Sequence, residues 1–325
     1  MIAILLVLLV ACLGCSRPAA EVRLGIAAQQ SPSQMLTYLA RDLGMFQAEG
    51  LTVTVEEFPG SSKALEALVG GSLDVVSGYH EQTLQLPEGS PRLRSFVAMT
   101  NGLLVALVAS PGSKARVVAV QDLKGKTVGV TSLGSATHLF LNFVLAREGL
   151  AREGIEAGSV QPVAIGTAGR ALAAMERGAV DAGVVSDFTV RHLEKRFGKV
   201  TILADTRTAE QAARTYGVAQ YPGAAIYARA DWIARHGEEV RKLVRAIGKT
   251  RAWVMSHSAD EVAARMPASH KGDDAGLYRD VIAATMAMLT PDGRFTAEGT
   301  EAAGRVVGSK QSAKESYTNE YIESR

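Results

Sequence analysis

The feature that most limits what this chain can fold into is an alternation of short apolar runs, small-residue turns and helical patterns that begins twice. The clearest unit is Lys126–Leu150. Thr127-Val128-Gly129-Val130 reads as a buried strand and Thr131-Ser132-Leu133-Gly134-Ser135-Ala136-Thr137 as a turn. Leu139, Phe143, Ala146 and Leu150 then recur on one face of a helix. Strand, turn and helix in this order leave free N–H groups at a helix start, where the dipole favours an anion or polar head group. Capping of that helix by Ser135 or Thr137 accounts for the same residues.

Upstream, strands at Val22–Ala27, Leu51–Phe58 and Leu73–Ser77 alternate with helices carrying Met35, Leu39 and Leu43, then Leu65 and Leu68. Arg94–Met99 adds a strand. After the apolar run Leu103–Ala109 the alternation starts afresh. It continues through strand Val160–Ile165, a helix from near Gly169 with Leu172 and Met175 inward, strand Val180–Val185, a helix at Phe188 and strand Thr201–Ala204. Gly71-Ser72-Leu73-Asp74 in the first set has a counterpart in Gly178-Ala179-Val180-Asp181 of the second. Such a pattern predicts an α/β protein with parallel strands, right-handed crossovers and two similar lobes. Strand Ala224–Ala228 follows, and from Asp231 the pattern is helical. Its longest stripe is Val240, Leu243, Val244, Ile247 and Val254, with Trp232 and Trp253 as anchors. The polar segment after Gly308 is expected to fray.

Composition removes several function classes. With 325 residues the chain can bury sizeable cores. A net charge of +2, no basic block and 6% aromatic residues give nucleic acid nothing to hold. The two cysteines are Cys12 and Cys15, so the rest of the chain can form no disulfide, cysteine zinc site or cysteine nucleophile. No nucleophile elbow, phosphate loop or metal-ligand pair occurs, so a non-enzyme without cofactor or metal is expected.

Residues Ile2–Ala11 are apolar but too few to span a bilayer, and they suit a signal-peptide core. No positive charge precedes them, which points to a start further upstream. Leu9-Val10-Ala11-Cys12 resembles the lipobox of bacterial lipoproteins, which implies a lipid on the Cys12 thiol. Lipidation of Cys15, or plain secretory cleavage near Ala19 or Ala20, are the alternatives. Residues 1–11 are thus expected to be a signal peptide and 12–21 a tether, with the mature protein outside the cytoplasmic membrane.

Four stretches carry a wider resemblance: Leu43–Leu51, Ala64–Asp74, Asp122–Val130 and Met175–Ala182. In order and spacing they resemble extracytoplasmic solute-binding proteins of ABC importers, in the branch that binds sulfonates, taurine, nitrate and thiamine-pyrimidine precursors. The resemblance covers nearly the whole mature chain. It implies a type II periplasmic-binding-protein-like fold, α/β, with two lobes of mixed, mostly parallel sheets joined by a hinge. The lobes would be residues 22–107 plus 224–325, and 108–223. A monomer would close over a small solute and hand it to an ABC permease and its ATPase. The rivals are a sensor that presents its ligand to a receptor and an enzyme of the thiamine-pyrimidine synthase type. That enzyme's cysteine-rich iron motif is missing here.

In open α/β sheets ligands sit beyond the carboxyl ends of the strands, and a ligand favours closure only by touching both lobes. That nominates Gln29, Gln30, Ser31, Gly60, Ser61, Ser62, Tyr79, His80 and Asn101 from the first set. From the second it nominates Ser132, Gly134, Ser135, Ala136, Thr137, His138, Asp187 and Tyr221. Helix capping explains Ser61, Ser62, Ser135 and Thr137 equally well. His80 and His138 lack companions at metal-ligand spacing, so a surface or capping role is their default. Asp187 either caps the next helix or meets a hydrogen-bond donor of the ligand. Tyr79, Phe188 and Tyr221 could wall a flat ligand, while Tyr221 before Pro222 suits hinge packing as well. Arg170 is the one arginine placed for a carboxylate or sulfonate, with solvent exposure as its alternative. An organic anion, a sulfonate or aromatic carboxylate, is expected ahead of a pyrimidine-like ligand. Ser135 to His138 are expected to touch it in the closed form and face water in the open one.

Overall fold

The structure is a computed structural model that describes residues 20–150 and 159–323. The expected signal peptide, Cys12, Cys15 and all but the end of the tether lie outside the described residues. The strands are β1 (Ala20–Ile26), β2 (Leu51–Glu57), β3 (Val75–Tyr79), β4 (Leu93–Ala98), β5 (Val105–Ala109), β6 (Thr127–Val130), β7 (Gln161–Ala164), β8 (Ala182–Ser186), β9 (Ile202–Asp205) and β10 (Ala224–Arg229). Each overlaps a strand expected from the sequence. The helices are α1 (Met35–Asp42), α2 (Met45–Ala48), α3 (Ser61–Val69), α4 (Ala136–Arg147), α5 (Ala168–Glu176), α6 (Asp187–Phe197), α7 (Ala209–Tyr216), α8 (Ala230–Arg235), α9 (Gly237–Met255), α10 (Ala259–Arg265), α11 (Ala275–Ala287) and α12 (Ala297–Val307).

Two five-stranded sheets share one design. The first runs β2-β1-β3-β10-β4 and the second β7-β6-β8-β5-β9. In the first, β1, β2 and β3 are parallel and β10 is antiparallel to both its neighbours. In the second, β6, β7 and β8 are parallel and β5 is the antiparallel member. The reversed strand of each sheet is the one that follows a crossing between sheets. The two Gly-x-x-Asp signals take one role in both. Asp74 accepts the Arg23 main-chain N–H at 2.9 Å, and Asp181 accepts that of Thr127 at 3.0 Å. Each carboxylate thereby satisfies a central-strand donor one residue before the pairing with β3 or β8 begins, where that ladder has no partner to offer.

The first crossing runs through residues 99–104, because β5 belongs wholly to the second sheet; the second runs through 217–223. They lie side by side. The Gly102 N–H donates to the Tyr221 carbonyl at 2.7 Å, the Gly223 N–H to the Thr100 carbonyl at 3.0 Å, and the Tyr221 N–H to Asn101 Oδ1 at 2.7 Å. A Cβ on Gly223 would stand 1.8 Å from the Gly102 carbonyl oxygen, so only glycine permits the approach.

The α9 stripe packs as expected: Val240, Leu243, Ile247 and Val254 join β1 and α1 in the core of the first sheet. Two expectations fail. In α4 the buried large apolar side chains are Phe140, Leu141, Val144 and Leu145, whereas Leu139 and Phe143 are half-buried and Ala146 is exposed. Apolar residues run all round this helix, so periodicity could not choose the face, and packing against α12 and β8 does. The segment after Gly308 does not fray within the described residues. The Ser95 N–H donates to the Ser316 carbonyl and the Thr318 N–H to the Ser95 carbonyl, both at 2.9 Å, and Ile322 is buried. Main-chain groups do this docking, which a polar side-chain composition conceals.

Candidate functional site

A cavity lies between the two sheets and draws its walls from both. Gln30, Ser31, Ser33 and Tyr79 come from the first sheet's side, Val105, Thr131, Thr137, Thr167, Ser186, Asp187 and Thr189 from the second, and Leu103 and Leu104 from the crossing. Its volume of about 40 Å³ compares with the roughly 10–15 Å³ that one water needs on the same measure, so it admits a compact group.

Three helices of the second sheet begin at this cavity: Thr137 lies in the first turn of α4, and Thr167 and Ser186 stand at the residue before α5 and α6, with side chains that make no capping hydrogen bond. Pro32 and Ser33, in the single helical turn that leads into α1, approach from the other side. Helix starts carry unpaired N–H groups and partial positive charge, so their convergence favours oxygen-rich or anionic groups.

The backbone is strained at the same place. Ala28, Gln30, Leu104 and Ala168 have φ values of 59°, 63°, 58° and 46°, the positive-φ non-glycine positions among the described residues, and all four line the cavity. Each such position costs on the order of 1–3 kcal/mol and persists where surrounding structure fixes it, commonly at functional sites.

The polar wall on the first side is a hydroxyl triangle. Ser33 Oγ stands 2.8 Å from both Ser31 Oγ and the Tyr79 hydroxyl, and Ser31 Oγ is 3.3 Å from that hydroxyl. Burial pushes the Tyr79 phenol above its ordinary range, so it stays protonated. On the second side Thr137 Oγ1 accepts the Thr131 N–H at 2.8 Å. Thr189 is fully buried and its hydroxyl has no hydrogen-bond partner. Fixed charge balances out. Asp187 accepts from Arg191 at 2.6 Å and Arg207 at 2.9 Å, and Asp205 takes Arg207 at 2.8 Å. Burial works against the Arg207 charge, but the two aspartates outweigh it and raise its pKa. Two carboxylates thus face two guanidinium groups. The attraction for an anion comes from helix starts and hydroxyls.

Of the nominated residues, Gln30, Ser31, Tyr79, Thr137 and Asp187 line the cavity. Others form a clasp across the seam beside it. Ser62 Oγ is 3.0 Å from Ser132 Oγ, the Ala136 N–H donates to Ser61 Oγ at 3.2 Å, and Gln85 donates to the Gly134 carbonyl at 3.1 Å. Gly60 makes room for it, since a Cβ there would stand 2.4 Å from Ser132 Oγ. Ser135 turns to Thr137 at 2.9 Å, and His138 accepts the Gly134 N–H at 2.8 Å. In the stretch Ser135 to His138, therefore, only Thr137 faces the cavity. Gln29 belongs to a second clasp, its carbonyl accepting the Thr167 hydroxyl at 2.9 Å. Asn101 and Tyr221 are hinge packing, with Tyr221 stacked on Tyr216 at 3.6 Å.

His80 points away from the cavity. It is fully buried, 3.0 Å from Ser95 Oγ and against Phe295, and burial pulls its pKa down to about 3. Asp187 is the first residue of α6, not its cap, and Arg170 is exposed. The sequence reading missed Thr167 and Thr189. The Gly166-Thr167-Ala168 turn follows a strand and opens a helix, the same signal that nominated the others. Thr189 lies inside a helix and carried no signal. Among the described residues no group of three His, Cys, Asp or Glu side chains could hold a metal ion, and no helix is long and apolar enough to cross a membrane.

The profile of the family described as NMT1/THI5 like matches residues 31–261, more than half of the chain. The chain belongs to the NMT1/THI5-like family. No curated protein matches it. Among solved structures, this NMT1/THI5-like chain is 30% identical to a protein of Bordetella bronchiseptica RB50, over 93% of this chain and 95% of that one, with a TM-score of 0.83. The alkanesulfonate-binding protein SsuA from Xanthomonas axonopodis pv. citri, solved bound to MOPS, is 21% identical over 87% and 90% of the two chains, with a TM-score of 0.65. The periplasmic nitrate-binding protein NrtA from Synechocystis PCC 6803 is 11% identical over 93% and 87%, with a TM-score of 0.69. These last two share the fold, which is the two-lobed α/β architecture of periplasmic binding proteins.

Proposed function

We propose that this chain is the solute-binding component of an ABC importer, which captures a compact organic anion between its lobes and delivers it to a permease and ATPase. One lobe is built on the first sheet and the other on the second. The protein acts as a monomer outside the cytoplasmic membrane, tethered by lipid on Cys12. Neither an enzyme's nucleophile nor a cofactor is part of this reading. The observation that carries it is the cavity itself, walled by both sheets, entered by three helix starts and holding the four strained backbone positions. The relatives that bind alkanesulfonates and nitrate support the choice of an anion.

Cavity shape separates the ligand classes. Of the three aromatic residues nominated for a flat ligand only Tyr79 lines it; Tyr221 is stacked in the hinge and Phe188 joins the core of the first sheet. That favours a short alkanesulfonate over an aromatic carboxylate or a pyrimidine. Thermal shift with methanesulfonate, taurine, nitrate, benzoate and an aminopyrimidine tests it. A ligand at a hundred times its Kd adds about 2.7 kcal/mol, so binding is readily seen. A short sulfonate should stabilise the wild type, and Thr137→Val or Thr189→Val should shrink that shift. Stabilisation by the aminopyrimidine alone overturns the anion reading, and no stabilisation by any solute, with none carried through purification by native mass spectrometry, overturns capture.

A further inference from the structure

The hinge holds a carboxyl that the cavity does not use. Glu81 follows β3 in a single helical turn, His80–Leu84, and is fully buried; neither carboxyl oxygen makes a well-formed hydrogen bond, and the nearby Tyr221 hydroxyl and its own main-chain N–H only partly offset the burial. Tyrosines from three other elements lie within electrostatic range of it: Tyr216 at the end of α7, Tyr221 in the second crossing and Tyr227 on β10. All three are buried, their hydroxyls make no well-formed hydrogen bond, and each stands close enough to feel the Glu81 charge. Tyr79, bonded to Ser33, is the fourth phenol within that range.

No cation answers Glu81. His80 on the same turn faces Ser95 and Ser316. Lys63 and Glu66 of α3, and Glu298, Glu301 and Arg305 of α12, are exposed; Arg94 of β4 and Arg229 of β10 are half-exposed and bonded elsewhere. An ionised carboxylate buried without a partner is so costly that the group takes up a proton instead.

We propose that Glu81 is a proton-held latch of the hinge: it keeps its proton while the crossings are packed around it, and losing that proton drives the packed hinge toward a form in which water reaches the carboxylate. The location gives the latch its leverage. Glu81 rides on the first sheet, Tyr216 on a helix of the second, and Tyr221 is stacked on Tyr216 with ring planes 12° apart, so the charge of one carboxyl is felt on both sides of the seam.

The sign follows from linkage. Burial raises the Glu81 pKa to about 8 in the packed form, against 4.5 for the ordinary group. The packed form therefore binds the proton more tightly, is fully favoured below the lower value, and loses ground as pH rises towards the upper one. The equilibrium shifts by up to ~10-fold per pH unit in that window and levels off above it. The coupling to lobe movement rests on the two-lobe reading; the protonation itself does not.

The test needs no solute. Infrared difference spectra and solution scattering are recorded for the wild type and Glu81→Gln between about pH 5 and pH 9.5, the window over which the linkage acts. The wild type should show a protonated-carboxyl band, absent in the variant, that fades with rising pH while the radius of gyration grows. The variant should show no such growth. Tyr221→Phe removes a hydroxyl that lowers the Glu81 pKa, so its transition should move to higher pH; a purely structural role would not move it. This second variant also serves if Glu81→Gln fails to fold. Absence of the carboxyl band, or identical pH responses in wild type and variants, overturns the latch. Failure of solute capture would instead appear as no compaction with any solute at a fixed pH, with the pH arm unaffected.

Discussion

Set side by side, β1 and β6 open their sheets in the same register. Leu24 pairs with Val75 as Val128 pairs with Ala182, and Gly25 with Val76 as Gly129 with Gly183. One residue before each partner stands the aspartate, Asp74 or Asp181, that takes the N–H of Arg23 or Thr127. Even the glycines match, since a Cβ on Gly25 would stand 2.4 Å from Leu73 Cδ1 and one on Gly129 2.3 Å from Ile165 Cδ1. At the carboxyl ends the likeness stops. The register aligns Tyr79 with Ser186, yet the first sheet offers a hydroxyl triangle and a turn with two left-handed residues, while the second offers helix starts and all the fixed charge. Interior positions are constrained by packing and ladder bonds in both sheets, whereas strand ends are free to differ, and the cleft's chemistry is divided unequally between them.

Four substitutions test that comparison. The largest effect is expected at the seam, where both lobes depend on one contact. Gly223→Ala drives a Cβ into the Gly102 carbonyl, a backbone atom that cannot rotate away. It should lower stability by more than ~3 kcal/mol in denaturant titration, as overpacking and lost backbone bonds add. A loss below ~1 kcal/mol would mean that the crossings separate easily.

Next come Asp74→Ala and Asp181→Ala. Each leaves a strand N–H without its acceptor, which costs about 1–3 kcal/mol. Asp74 also pairs with Arg23, but that guanidinium is 46% exposed and adds little. Nearly equal losses are therefore expected, and a several-fold difference in denaturant titration would break the equivalence of the two sheets. The smallest effect is at the clasp. Gly60→Ala should leave stability almost unchanged, because its extended backbone suits alanine, yet weaken solute binding by about tenfold, or ~1.4 kcal/mol, by keeping Ser132 away. Unchanged affinity by calorimetry would reduce the clasp to a passive contact.

Much of this architecture could be read from the chain. Ten strands were legible as short apolar runs, and the paired Gly-x-x-Asp signals marked two similar sheets before any coordinate did. The α4 face was not legible, because a helix apolar on all sides has no period to read. Nor was α7, a polar helix of eight residues whose Tyr216 supplies half of the hinge stack. In the site, turns after strands were legible as a class, but whether a turn residue faces the cavity, clasps the other lobe or caps a helix depends on side-chain direction. Thr137 and His138 are neighbours with different fates for that reason.

Local elements and their order follow from the chain alone, because strand and helix patterns, glycine turns and capping residues act over a few positions. Which turns meet depends on the packing of the whole molecule. Glu81 shows the division most sharply: in the chain it is one acid in a polar run, and it becomes a buried, uncompensated carboxyl because β3, α7, β10 and the second crossing converge on it from positions up to 146 residues apart. Burial of a charge is set by what surrounds it from all sides, and no local stretch of sequence carries that information.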